Sequence, residues 1–233
     1  MAQSSNRRTG APALLSGTSS EYLGRRALPR ILRERAVILL LGAPGVGKST
    51  VAARLAVTLG PLPGRSRVAA GLHTLNAAAL QDAIVEYVAN RRWSDVIRNC
   101  GALVLDGPVW LHVRPAQLQC LVGLFKERAE RGRRTFVCQG PDEGSLPALM
   151  KAMEPGSLTT IALRFPKGHQ GRLRFARRVC DELGLMRSHA RGTELIEPWG
   201  YERVIQSLHA QRDASRAKPV KGAQRQITAT QAR

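Results

Sequence analysis

Two textures of apolar residues alternate along the chain. In the first, almost every residue of a short run is apolar: Ala36 to Leu41, Gly101 to Asp106, Arg134 to Gln139 and Leu158 to Arg164. Such runs predict strands buried on both faces, as a parallel sheet covered by helices requires. A weaker strand is expected over Arg67 to Leu72. In the second texture apolar residues return every three or four positions, the period of a helix with one buried side. It predicts helices over Lys48–Leu59, Asn76–Arg92 (Leu80, Ile84 and Val88 inward), Pro115–Arg131 and Leu146–Met153, with a short helical connection over 93–100. Gly60-Pro61 and Gly132 are stop signals for two of these helices. Strand and helix in turn imply an α/β three-layer sandwich, with a mainly parallel sheet of about five strands. Its ligand site should lie at the carboxyl ends of the strands.

The ends of the chain read differently. Residues 1–20 are rich in Ser, Gly, Arg and Ala without periodicity and are expected to be disordered. A short helix from Ser20 to about Arg35 follows, with Tyr22, Leu23, Leu28, Ile31 and Leu32 as its apolar side. The α/β domain then covers 21–165. From Pro166 the pattern turns wholly helical, over Gln170–Leu183 and Pro198–Gln211, which predicts a small helical lid subdomain over 166–212. Residues 213–233 are polar, basic and expected to be disordered.

The first apolar run leads into GAPGVGKST, residues 42–50, with the spacing Gly-x-x-x-x-Gly-Lys-Ser between a strand and a helix. In that context the spacing specifies a phosphate-binding loop. Gly42, Gly45 and Gly47 let the backbone close around a phosphate, and the loop Ala43, Pro44, Gly45, Val46 and Gly47 forms the cradle, its N–H groups supplied by every member except Pro44. Lys48 is assigned to the β and γ phosphates of ATP, Ser49 to Mg²⁺, and Thr50 to the neighbourhood of an α phosphate. Asp106 closes the strand GALVLD and is assigned, partly through water, to the same Mg²⁺.

Charge adds a partner. The 233 residues carry a net +19, with +5 on residues 1–35, +5 on 211–233 and +9 between. That balance favours a polyanion, DNA first, held by the basic surface and tails. With only 4% aromatics, contact should run through phosphates rather than stacked bases. The four cysteines are far apart and the five histidines lack ligand spacing, so reduced thiols in a cytoplasmic protein are expected. No run reaches the ~18 apolar residues of a membrane span.

With these motifs in place, the chain from about Gly24 to Ala210 resembles the AAA+ ATPases, and within them the DnaA-like initiators and helicase loaders. The likeness is carried by GAPGVGKST at 42–50, ALVLD at 102–106, and RTFVCQ at the distance of the family's sensor strand. It implies a first sensor at Gln139 and, in YERVIQSL, a second at Arg203 reaching the γ phosphate. It also implies a homo-oligomer or a protein partner. Three departures stand out. Gly107 occupies the place of the water-activating acid, the sensor strand ends in Cys138-Gln139, and helix 146–153 offers only Lys151 as a finger. Loss of the acid should slow hydrolysis more than binding. The resemblance therefore implies an ATP-binding protein, a DNA-associated ATPase or switch with weak hydrolysis.

The alternative is a nucleotide or small-molecule kinase. LGAPGVGKSTVAARLA is similar to the opening of nucleotide kinases, and LDGP at 105–108 resembles a segment of adenylate kinases. A kinase needs no water-activating acid, and Arg172, Arg174, Arg177 and Arg178 would clamp phosphates as a lid. Val109-Trp110 after Pro108 departs from the kinase pattern.

Overall fold

The computed structural model of the chain describes residues 13–18, 21–22, 29–62, 71–107, 115–140, 151–153, 157–196 and 200–217. They fall into two compact units, Met1–Phe165 and Pro166–Arg233.

The first unit is built on a six-stranded, all-parallel sheet in the order β1-β6-β2-β5-β4-β3. The strands are β1 (Ala13–Gly17), β2 (Val37–Leu41), β3 (Leu72–Asn76), β4 (Ala102–Asp106), β5 (Arg134–Gln139) and β6 (Leu158–Leu163). Around them lie α1 (Arg30–Glu34), α2 (Lys48–Leu59), α3 (Ala77–Asn90), α4 (Asp95–Asn99) and α5 (Pro115–Glu130). Successive side chains in a strand face opposite sides of the sheet. Val37, Leu39, Leu103, Leu105 and Val137 join one core cluster with Leu80, Ile84, Leu121 and Phe125 of α3 and α5. The intervening residues, Ile38, Leu40, Val104 and Phe136, therefore face the other layer, where α2 packs on β2, β4 and β5 through Val51, Ala52, Leu55 and Ala56. Fully burying Val51 or Leu55 contributes about 1.5–3 kcal/mol each.

Three expectations change. Part of the stretch expected to be disordered forms β1, which pairs with β6 from Ala13↔Thr159 to Gly17↔Leu163 and makes the sheet one strand wider. ALLSG has no alternation to announce a strand, and its stability comes from its neighbour. The strand expected over Arg67–Leu72 is instead Leu72–Asn76, with 67–70 outside the described residues. Asn76 ends that strand and also caps α3, its Oδ1 accepting from the Ala79 N–H at 2.9 Å. Val88, expected to face inward, is 50% exposed while Leu80 and Ile84 are buried. Leu23, Leu28 and positions 146–150 also lie outside the described residues.

Two fully buried arginines tie these layers together without a carboxylate. Arg128 of α5 donates to the carbonyls of Ile97, Cys100 (3.2 Å) and Arg134 (2.7 Å) and to Thr135 Oγ1 (3.1 Å). Arg134 donates to the carbonyls of Gly60 (2.8 Å), Leu32 (3.0 Å), Arg33 (2.7 Å) and Arg35, so it satisfies the ends of α1 and α2. Burial lowers both guanidinium pKa values, that of Arg134 to about 10, which leaves it charged at neutral pH.

The second unit contains α6 (Gly168–Leu183), 3-10 turns at Arg187–Ala190 and Thr193–Leu195, and α7 (Tyr201–Ala217). Its core includes Phe175, Ala176, Val179, Cys180, Val204 and Leu208, with Phe175 edge-on to Tyr201 at 5.7 Å. The helix expected to end at Gln211 continues to Ala217, so residues 213–217 belong to α7 rather than to a disordered tail. Positions 198–199 and 218–233 are outside the described residues.

Two outcomes follow for stability. Arg128→Ala strips donors from the carbonyls of Ile97, Arg98, Cys100 and Arg134 and opens a cavity, so urea unfolding should show a loss of about 2–4 kcal/mol. Deleting residues 1–17 removes β1 and bares the outer edge of β6, so the thermal midpoint should fall and aggregation on heating should rise.

Candidate functional site

The carboxyl ends of β2, β4, β5 and β6 bring the predicted loop and the predicted acid to one edge of the sheet. The chain leaves β2 at Gly42, whose N–H donates to the Gln139 carbonyl at 3.1 Å. A Cβ at Gly42 would lie 2.8 Å from both the Leu163 carbonyl oxygen and Val46 Cγ1. No larger residue fits there without moving backbone. Gly45 (φ 75°) and Gly47 (φ 90°) occupy the left-handed region, where side chains are disfavoured. They turn the chain back so that α2 starts at Lys48, with the Val51 N–H bonded to the Gly47 carbonyl at 3.0 Å.

Within the loop Val46 is buried and anchors it, whereas Pro44 and Gly45 are exposed and Ala43 is half-buried. The Lys48 ammonium donates to the carbonyls of Gly42 (2.7 Å) and Ala43 (3.1 Å), so the charge is held at the loop itself. Ser49 is exposed at the first turn of α2 and Thr50 is half-buried behind it. A helix N-terminus with a lysine and a hydroxyl at its mouth is an anion-binding arrangement.

Asp106 ends β4 half-buried, beside Asn76 on one side and Cys138 on the other. Alternation along β4 and β5 puts Asp106 and Cys138 on the face that carries α2. Burial pushes the Cys138 thiol well above the usual range. The Asp106 carboxylate pushes it the same way and the Lys48 ammonium opposes. The two charges assigned from the sequence thus act on one buried, neutral thiol. From the sequence Cys138 figures only as a reduced thiol and as a departure at the end of the sensor strand, and its place beside Asp106 follows from the register of β5 on β4.

Gln139 is fully buried, and neither its side-chain oxygen nor its side-chain nitrogen has a hydrogen-bond partner. Alternation places this amide on the Val137 face, opposite Cys138. One step beyond the Asp106↔Cys138 pair, Gly107 comes alongside Gln139. A Cβ at Gly107 would meet nothing closer than 3.9 Å, but its φ of 107° disfavours any side chain. Backbone conformation, rather than lack of room, therefore suits glycine here. Arg203 lies on the exposed side of the first turn of α7, in the second unit.

The residues present fit a nucleotide with Mg²⁺. The loop is too tight at Gly42 for a side chain, and the lysine is already at its mouth. An orphaned buried amide lies beside it. No group of three His, Cys, Asp or Glu side chains suited to a metal occurs among the described residues. One carboxylate, one hydroxyl and phosphate oxygens are instead the sparse oxygen set that Mg²⁺ accepts. Lys48 and the loop N–H groups would hold the phosphates, and Ser49 and Asp106 the ion, which would neutralise phosphate charge.

Neither a protein-family model nor a curated protein matches the sequence. Solved structures do match. Domain III of the Thermotoga maritima replication initiation protein DnaA is similar with a TM-score of 0.53 at 11% identity, over 86% of this chain and 83% of that one. A replication initiator DnaA bound to AMPPCP and single-stranded DNA gives a TM-score of 0.54 at 10% identity, over 83% of this chain and 59% of that one. The chain thus spans less than two thirds of that second protein. At such identities the likeness is one of fold, and the fold of this chain is that of the AAA+ P-loop ATPases.

Proposed function

We propose that this chain binds ATP with Mg²⁺ at the 42–50 loop and works as a DNA-associated nucleotide switch with weak hydrolysis. The observation that carries the reading is the Lys48 ammonium held at the mouth of a glycine loop that tolerates no side chain at Gly42, with Asp106 ending a strand at the same edge of the sheet. Lys48 and the loop amides would bind the phosphates, and Ser49 and Asp106 would position the ion. The unpaired Gln139 amide supports a sensor role, since a buried polar group without a partner costs free energy that a ligand can recover. Arg203 is retained as the second sensor of the reading.

Weak hydrolysis follows from Gly107. With glycine beside Gln139 the described strand ends offer no second carboxylate beyond Asp106, which is assigned to the ion, so water is left without an activating acid and hydrolysis is slow. DNA association rests on the +19 charge and on the DNA-bound initiator with the same fold. A homo-oligomer or protein partner and a cytoplasmic location complete the proposal. No described helix is long and apolar enough to cross a membrane. The kinase alternative is less favoured, because Arg172, one of its four lid arginines, turns into its own unit and donates to the Glu194 carbonyl at 3.3 Å.

Calorimetry with ATP checks the site. Lys48→Ala removes a charged donor worth about 2–3 kcal/mol, so affinity should fall roughly 100-fold, and an unchanged Kd would sink the assignment. Phosphate release checks the chemistry. ATP should remain largely intact over hours with or without DNA, whereas rapid DNA-stimulated release would mean that another residue activates water.

A further inference from the structure

The second unit carries a row of positive charges for which the described side chains offer no counter-ion. Helix α6 turns Phe175, Ala176, Val179 and Cys180 into its core. On the outer side, at spacings of seven, three and four residues, stand Lys167 at the cap and Arg174, Arg177 and Arg178, all exposed. Residues three, four and seven apart share one helix face. The next position of that spacing is Asp181, and it is already engaged: Arg187 holds its two oxygens at 2.7 and 2.8 Å and keeps the carboxyl below its usual range.

The other described acids of the unit are also committed elsewhere. Glu194 is 9% exposed and faces His169 at 3.5 Å, Glu202 meets Gln206, and Asp213 pairs with Arg212. No carboxylate among the described residues pairs with Arg174, Arg177 or Arg178. Among the described residues these three arginines make a single, long hydrogen bond, from Arg174 Nε to the Gln170 carbonyl at 3.4 Å.

We propose that the outer face of α6, formed by Lys167, Arg174, Arg177 and Arg178, is the surface that contacts the nucleic-acid backbone. The inference rests on the nucleic-acid reading above and moves the principal contact from the tails to a folded helix. From 167 to 178 the helix rises roughly 16 Å. Phosphates along one strand repeat every ~3.4 Å of duplex axis, so four cations meet a run of four or five phosphates. Three of the four are arginines, whose planar forks bind phosphate oxygens in pairs. A membrane surface is a poorer occupant, because an interfacial helix must insert its apolar face and that of α6 is already consumed by its own core. The face offers no aromatic ring to stack bases, so binding should be indifferent to sequence.

The test is fluorescence anisotropy of a labelled DNA oligonucleotide across a salt series, with the full chain. The charge-removing variant is Arg174→Ala/Arg177→Ala/Arg178→Ala, and its charge-keeping counterpart carries Lys at the same three positions. Losing three phosphate contacts should cut the slope of log K against log salt by about 2.7 and weaken binding roughly 100-fold near 150 mM salt. The lysine variant should keep most of the slope, and both variants should bind ATP as the parent does, which reports an intact fold.

Binding unchanged in the alanine variant but lost on removal of residues 1–12 and 218–233 would overturn the proposal and leave the nucleic-acid reading standing. Absence of DNA binding by the parent would overturn both. Equal displacement of the DNA by poly-glutamate would overturn it in favour of an acidic protein partner.

Discussion

Gly42 has no room for a side chain, and much of the first unit is arranged around that fact. Strand β2 runs between β5 and β6, and as it ends its next N–H is taken by the Gln139 carbonyl while the Leu163 carbonyl stands against its Cα. The loop is therefore clamped by the two strands that flank it before any ligand arrives. Because the strands are parallel, their carboxyl ends fall at one edge, and the lysine of one and the acid of another are delivered there together. An antiparallel arrangement of the same segments would put them at opposite edges.

The cost of that arrangement is met at the other end of the sheet and in its connections. Parallel crossovers leave helix ends whose carbonyls lack partners within the helix. Arg134 and Arg128 answer this with guanidinium groups shared among eight backbone carbonyls in all, and with no carboxylate among their described hydrogen-bond partners. Burying these charges costs free energy, as their lowered pKa values express. The dense set of acceptors offsets it. The basic composition is thus partly structural. Only arginines on outward faces, such as those on α6, remain for a polyanion.

The site itself contrasts charge with neutrality. Lys48 and Asp106 face a thiol that burial keeps protonated, and the amide of Gln139 stands where an acid at position 107 would have been its neighbour. Such an edge is suited to holding phosphates and poorly equipped to activate water. On the reading proposed above, binding without fast turnover would make the nucleotide a persistent ligand, one able to set the state of a protein that rests on DNA.

Sequence alone determined what local chemistry dictates. The loop 42–50, the apolar strand entering it and the helix leaving it, the acid at 106 and the helix stops at Gly60 and Gly132 are each written within about ten residues, because backbone dihedrals and apolar periodicity are local properties. Only the tertiary structure decided what depends on partners far along the chain. β1 is a strand because β6 offers it an edge nearly 150 residues away in sequence. Asn76 ends a strand because it lies beside Asp106, and which positions of α3 are buried, Leu80 and Ile84 but not Val88, is set by packing rather than by the helical repeat. Cys138 joins the site because the register of β5 on β4 fixes which face it takes. Sheet order, register and the burial of two arginines are long-range choices, made by pairing and packing rather than by any window of sequence.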